Sequence, residues 1–83
     1  QIPFLVNRGE SQLHRTEAEK LFEEALKKYQ ANQFLEAIEL WEKTLKVYLQ
    51  LDDKQATATT LQNLIIVNQQ IQNYSQTITY LQQ

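Results

Sequence analysis

Hydrophobic residues recur at spacings of three and four along most of this chain. From Ala18 the apolar positions Leu21, Phe22, Ala25, Leu26 and Tyr29 follow that rhythm, and it predicts an amphipathic helix over about 16–31. Thr16, with Glu19 three residues later, reads as a capping box at its start. Glu24 and Lys28 sit four apart in the favourable order for a surface ion pair. After the short break at 31–33, Phe34, Ala37, Ile38, Trp41, Leu45, Tyr48 and Leu49 predict a second helix over 34–50. So short a connection makes the two helices antiparallel neighbours.

A third run is harder to assign. Asn63 to Tyr74 reads NLIIVNQQIQNY, with four consecutive β-branched or aliphatic residues among amides. Strict alternation, the mark of a half-buried strand, fails at Leu64–Val67, whereas Leu61, Leu64, Ile65, Asn68 and Ile71 fit one helical stripe. The expectation is a helix over about 54–72, started by an Asp52 or Asp53 cap. A fourth helix, carrying Tyr74, Ile78 and Leu81, is cut short by the end of the chain.

Composition supports the helical reading. The single Gly and the single Pro both lie in the first ten residues, so nothing after Gly9 supplies the frequent turns of an all-β domain. Pro3 and Gly9 make residues 1–15 an extended lead-in. The expected organisation is therefore a lead-in over 1–15, a hairpin over 16–53, and a second hairpin over 54–83 whose last helix is truncated. With no Met at all, residue 1 is not a translation start, and the expectation is a processed chain or part of a longer one.

The two expected hairpins overlay with an offset of 40 residues. Leu21 matches Leu61, Ala25 matches Ile65, Phe34 matches Tyr74, Ile38 matches Ile78 and Trp41 matches Leu81. A helix-turn-helix unit repeated at fixed period is the mark of a solenoid. The segments FLEAIELWEKTL and YSQTITYL resemble the aromatic-x-x-Ala-Ile-x-x-aromatic run of tetratricopeptide repeats, and the resemblance covers about residues 17–83. The first helix of each unit departs from that family. Its Leu-Gly pair stands here as Glu24-Ala25 and Leu64-Ile65, and its following Tyr as Lys28 and Asn68. The period is also longer than the usual 34, as in longer-helix bacterial variants, and a HEAT-like helix pair is the rival reading. What the resemblance implies is an all-α fold of antiparallel helix hairpins stacked as a short right-handed solenoid.

The resemblance also implies a function. Tetratricopeptide scaffolds bind a partner peptide or protein segment on the concave side, lined by first-helix residues. By position those are Phe22, Glu23, Leu26 and Tyr29 in the first unit and Gln62, Asn63, Ile66 and Gln70 in the second. Asn63 is similar to the Asn with which some family members grip a bound backbone, because an amide donates and accepts at once. The alternative is a self-association or regulatory segment of a larger protein.

The remaining chemistry is sparse. A chain without Cys has no thiolate nucleophile, zinc-thiolate site or redox motif, and its compartment is left open between cytoplasm, which is favoured, and exterior. The net charge of -2 argues against a nucleic-acid surface, and no apolar run approaches a membrane span. His14, the only His, reads as a surface residue, Asp52 and Asp53 as a cap, and Trp41 as core. No metal spacing, phosphate loop or nucleophile–base pair is present, so neither catalysis nor a cofactor is expected. After Lys54 there is no charged residue. With only two units, Leu64, Ile65, Ile78 and Leu81 are expected to be partly exposed, to be covered by further repeats or by a second copy of the chain through residues 61–81.

Overall fold

The computed structural model describes residues 3–82, and side chains from Ser11 to Gln82. It is all-helical, with three helices and no strand among the described residues: α1 (Pro3–Gln30), α2 (Phe34–Gln50) and α3 (Lys54–Gln82). α2 is the central element. It packs on α1 along one side and on α3 along the other, while α1 and α3 barely touch each other. The periodic pattern had placed α2 over the same residues.

Both turns have the same construction. At the end of α1, the Asn32 N–H donates to the Tyr29 carbonyl at 3.0 Å and the Gln33 N–H to the Lys28 carbonyl at 2.8 Å. At the end of α2, the Asp52 N–H donates to Leu49 and the Asp53 N–H to Tyr48, both at 3.1 Å. These are two Schellman closures, which require a left-handed residue after the helix. Asn32 (φ 62°) and Asp52 (φ 56°) supply it. Asn and Asp are the side-chain-bearing residues that tolerate this region best. Asp53 then caps α3, its Oδ1 accepting from the Ala56 N–H at 3.0 Å.

The core lies where small residues let the helices approach. Ala18 and Ala25 of α1, Ala37, Trp41, Thr44 and Tyr48 of α2, and Thr60 and Val67 of α3 are buried. Ala25, Ala37, Trp41 and Val67 form one cluster, walled by Phe22, Leu26, Tyr29, Phe34, Ile38 and Leu64 among others. The two buried hydroxyls turn inward on their own helices, Thr44 donating to Leu40 and Thr60 to Ala56, each at 2.8 Å. This satisfies them without a tertiary partner. Among the described side chains, one buried polar atom is left without a partner, the Trp41 indole nitrogen.

Four expectations are corrected. Residues 3–15 are not an extended lead-in but the first turns of α1; residues 1 and 2 lie outside the described residues. Proline is tolerated at the first helical position, and one interior glycine costs about 1 kcal/mol, which weakens a helix without ending it. The Thr16 capping box does not form, because the helix already runs through it and the hydroxyl donates to the Gln12 carbonyl four residues back. Lys28 pairs with Glu36 across the turn, at 3.3 Å, and not with Glu24.

The largest correction concerns the second hairpin over 54–83. α3 continues through residues 71–73 without a break as far as Gln82, so no fourth helix folds back; Gln83 lies outside the described residues. The two turns that do form place Asn32 and Asp52 twenty residues apart, and the next step falls on Gln72. Glutamine has neither the short side chain nor the left-handed tolerance of Asn or Asp. Position 72 itself holds no residue that favours positive φ, Asn73 beside it is helical, and the helix propagates.

Because α3 does not fold back, the molecule is long, 69 × 19 × 13 Å. α1 and α3 have 28 and 29 residues and α2 only 17. Arg15 sits level with the α2–α3 turn, where it holds Asp53. Tyr74 sits level with the start of α2, its ring centroid 5.8 Å from that of Phe34. The start of α1 and the end of α3 therefore project past α2 at opposite ends.

Candidate functional site

The eight residues expected to line a groove fall into two different environments. On α1, Phe22, Leu26 and Tyr29 are half-buried against the core cluster. The Phe22 ring lies 5.9 Å from Trp41, and Tyr29 lies 5.5 Å from Phe34 and 6.1 Å from Trp41. Aromatic pairs at these separations are packing contacts. Glu23 is exposed and borders a shallow charged depression on α1 with Glu19, Lys20 and Lys27. The α1 half of the expected groove is thus mostly core, because helical spacing alone does not say which neighbour an apolar stripe meets.

On α3, Asn63 and Gln70 are half-buried, while Gln62 and Ile66 are exposed, Ile66 at 44 %. Asn63, Ile66 and Gln70 share one helix face at i, i+3 and i+7. They flank the stripe of Thr60, Leu64 and Val67 that α3 turns to the core. The stripe expected from the sequence was different. Leu61 and Ile65, which share the expected stripe with Leu64, are 44 % and 57 % exposed. Among the described residues no helix covers this face of α3, so it opens to solvent.

The amides of α3 differ in what they hold. Asn68 donates to the Leu64 carbonyl at 2.7 Å, and Thr59, Thr77 and Thr79 likewise return to carbonyls four residues back. No such bond engages the Asn63 side chain among the described residues. Its carbonyl and amino groups remain available to a ligand.

Charge is confined to the first two helices, the turn into the third and Lys54 at the start of α3. Asp53 is the main junction. It accepts from the Ala56 N–H and from the Arg15 guanidinium, and these hydrogen bonds, the backbone one first, hold its carboxyl below the usual range. Tyr48 is pushed above the ordinary phenol range, first by burial and then by the nearby Glu19 and Asp53 carboxylates. His14 is on the surface, 3.6 Å from Glu17. Among the described residues no group of three or more His, Cys, Asp or Glu is arranged to hold a metal ion, and no helix is long and apolar enough to cross a membrane.

Sequence reasoning placed Trp41 in the core, where it is 2 % exposed, and expected Leu64, Ile65, Ile78 and Leu81 to be partly exposed; Leu64 is half-buried and the other three are exposed. It missed an apolar depression of about 280 Å³ beside the α2–α3 turn, between Leu49, Asp53, Ala58 and Leu61. It also missed how much apolar surface the protein leaves uncovered: ten large apolar side chains, against six buried hydrophobic residues. Seven of the ten are on α3, which carries no charge after Lys54, and the missing left-handed residue at position 72 was the signal for it. No protein-family model, curated protein or solved structure matches this chain.

Proposed function

We propose that the protein is a protein-interaction module of the tetratricopeptide type. In this reading α1 and α2 are one repeat, α3 opens the next, and its face with Asn63, Ile66 and Gln70 receives an extended segment of a partner protein. The observation that carries the reading is the unengaged, half-buried Asn63 amide one turn from the exposed Ile66. An extended peptide offers a backbone N–H and a carbonyl at each residue and an alternate side chain between them. An amide beside an apolar contact answers both. Gln62 and Gln70 extend the same polar border. Phe22, Leu26 and Tyr29 serve as the rigid wall behind the face rather than as contacts. The role calls for no catalytic group or cofactor, and the ligand is a protein segment rather than nucleic acid or membrane. A second reading, self-association, rests on the uncharged apolar end of α3.

Peptides selected from a random display library against the folded protein, then titrated by calorimetry, test the first reading. Losing one hydrogen bond is worth about 1 kcal/mol, so Asn63→Ala should weaken the selected peptides roughly fivefold. Ile66→Asp should abolish their binding. Peptides indifferent to both substitutions, or a selection that yields none, would refute the assignment.

A further inference from the structure

The residues by which α3 meets α2 continue in strict heptad order past the point where α2 stops. Thr57, Thr60, Leu64, Val67, Ile71, Tyr74, Ile78 and Leu81 follow one another at spacings of 3, 4, 3, 4, 3, 4 and 3. That is the a/d seam of a two-helix coiled coil. Its first half is spent on α2: Thr60 and Val67 are fully buried and Leu64 half-buried. Phe34, the first residue of α2, reaches Tyr74. Beyond it the seam is bare, with Tyr74 52 %, Ile78 51 % and Leu81 82 % exposed.

We propose that a second copy of this chain covers this end of α3, the two projecting segments pairing antiparallel about a twofold axis near Gln76. In that register each a position meets a d position of the partner. Ile71 faces Leu81 of the other copy and Tyr74 faces Ile78, so the three bare seam residues of each chain and the half-buried Ile71 are all used. The tip of the incoming helix lands beside Ile71, which with Phe34 and Leu35 lines a depression of about 380 Å³ at the start of α2. The partner's helix thus takes the place of the fourth helix that does not fold back. An isologous contact needs a surface that complements itself. This one carries no charge from Gln55 to Gln82, so two copies meet without repulsion, and a charged partner finds nothing to pair with. Four side chains per copy make a patch smaller than the ~1,200 Å² at which standard specific interfaces begin, which makes the dimer weak and concentration-dependent. The earlier expectation of contact through 61–81 narrows to 71–82, because Thr60 and Val67 are already covered by α2. This surface is distinct from the Asn63 face, and the two proposals stand or fall separately.

Sedimentation equilibrium over a dilution series tests the inference. The apparent mass should rise from 9.8 kDa toward twice that value with concentration. Ile78→Asp would bury an unpaired charge in each copy and should weaken dimerisation at least roughly a hundredfold, with the α1–α2 fold intact by thermal melt. Tyr80→Asp lies on the opposite side of α3, at a position 76 % exposed, and should leave the dimer unchanged. The chain has no cysteine, so register can be read by oxidation. A mixture of Tyr74→Cys and Ile78→Cys chains should cross-link between the two variants, and neither should cross-link alone. A monomer at every concentration overturns the proposal. So does a dimer that tolerates Ile78→Asp, or cross-linking of either variant by itself.

Discussion

Trp41 offers the sharpest test of how the core is held. It is the largest fully buried side chain, flanked by Phe22 and Tyr29, and its indole N–H has no hydrogen-bond partner. Two substitutions separate its volume from its polarity. Trp41→Ala removes the whole ring system, a change that costs about 3–5 kcal/mol in well-packed cores. A domain of this length holds roughly 4–12 kcal/mol in total, and one with so small a core sits toward the bottom of that range. Trp41→Ala should therefore be largely unfolded at room temperature. Trp41→Phe keeps one aromatic ring against both neighbours. It gives up roughly 40 Å² of apolar burial, about 1 kcal/mol. It leaves a void of roughly 35 Å³, worth about another 0.8 kcal/mol. Against these stands the removal of a buried, unsatisfied donor, whose desolvation costs about 1–3 kcal/mol. The terms nearly cancel, and Trp41→Phe should lie within about 1 kcal/mol of the parent protein. Urea unfolding followed by far-ultraviolet circular dichroism is the assay, since Trp41 is the sole tryptophan and the variant loses indole fluorescence. If Trp41→Phe loses about 3 kcal/mol or more, like Trp41→Ala, the N–H is not an orphan and ring volume alone governs the site.

Ala25 has no exposed surface where α1 meets α2, so Ala25→Leu forces the helices apart and should cost about 1–3 kcal/mol in a thermal melt. Glu23→Ala, two residues away and exposed, should stay within about 0.5 kcal/mol; equal effects at the two sites would deny the close seam. Asp53 carries a pH dependence whose sign follows from its depressed carboxyl. The native state favours the carboxylate, so its stabilising effect is complete above the ordinary carboxylate range and is lost as the pH falls through the depressed value. Asp53→Asn keeps a cap acceptor but cannot titrate. It should be less stable than the parent at neutral pH and equal to it in strong acid, and parallel stability curves across that interval would contradict the role given to Asp53.

How much of this could be read from the chain depends on what each residue answers to. α2 was legible to the residue because its stripe is buried on two sides, by α1 and by α3, so periodicity and burial agree along its whole length. An aspartate cap at 52 or 53 was legible because capping is decided within one turn, and Asp53 is the one that caps. The start of α1 was not, since Pro3 and Gly9 permit two conformations and local rules favoured the extended one. α3 was misread in its facing. Leu61 and Ile65 are as apolar as Leu64 and Val67, and which pair turns inward is set by where α2 lies, not by anything within α3.

The spacing that suggested a repeat also explains the error at the far end of α3. An offset of 40 residues relates apolar positions in the sequence, from Leu21–Leu61 through Trp41–Leu81, but Ala25 and Trp41 are buried while Ile65 and Leu81 are exposed. The turn is made by a different kind of residue, one chosen for its backbone. Asn32 and Asp52 meet that demand, and Gln72 does not. Apolar residues without a turn to fold them back are left standing out from the molecule. Tyr74, Ile78 and Leu81 retain the pattern of an inner helix face while remaining exposed to water. Burying one such side chain is worth about 1.5–3 kcal/mol. A protein with the stability margin of this one therefore has more to gain at its uncovered end than at any single site in its core.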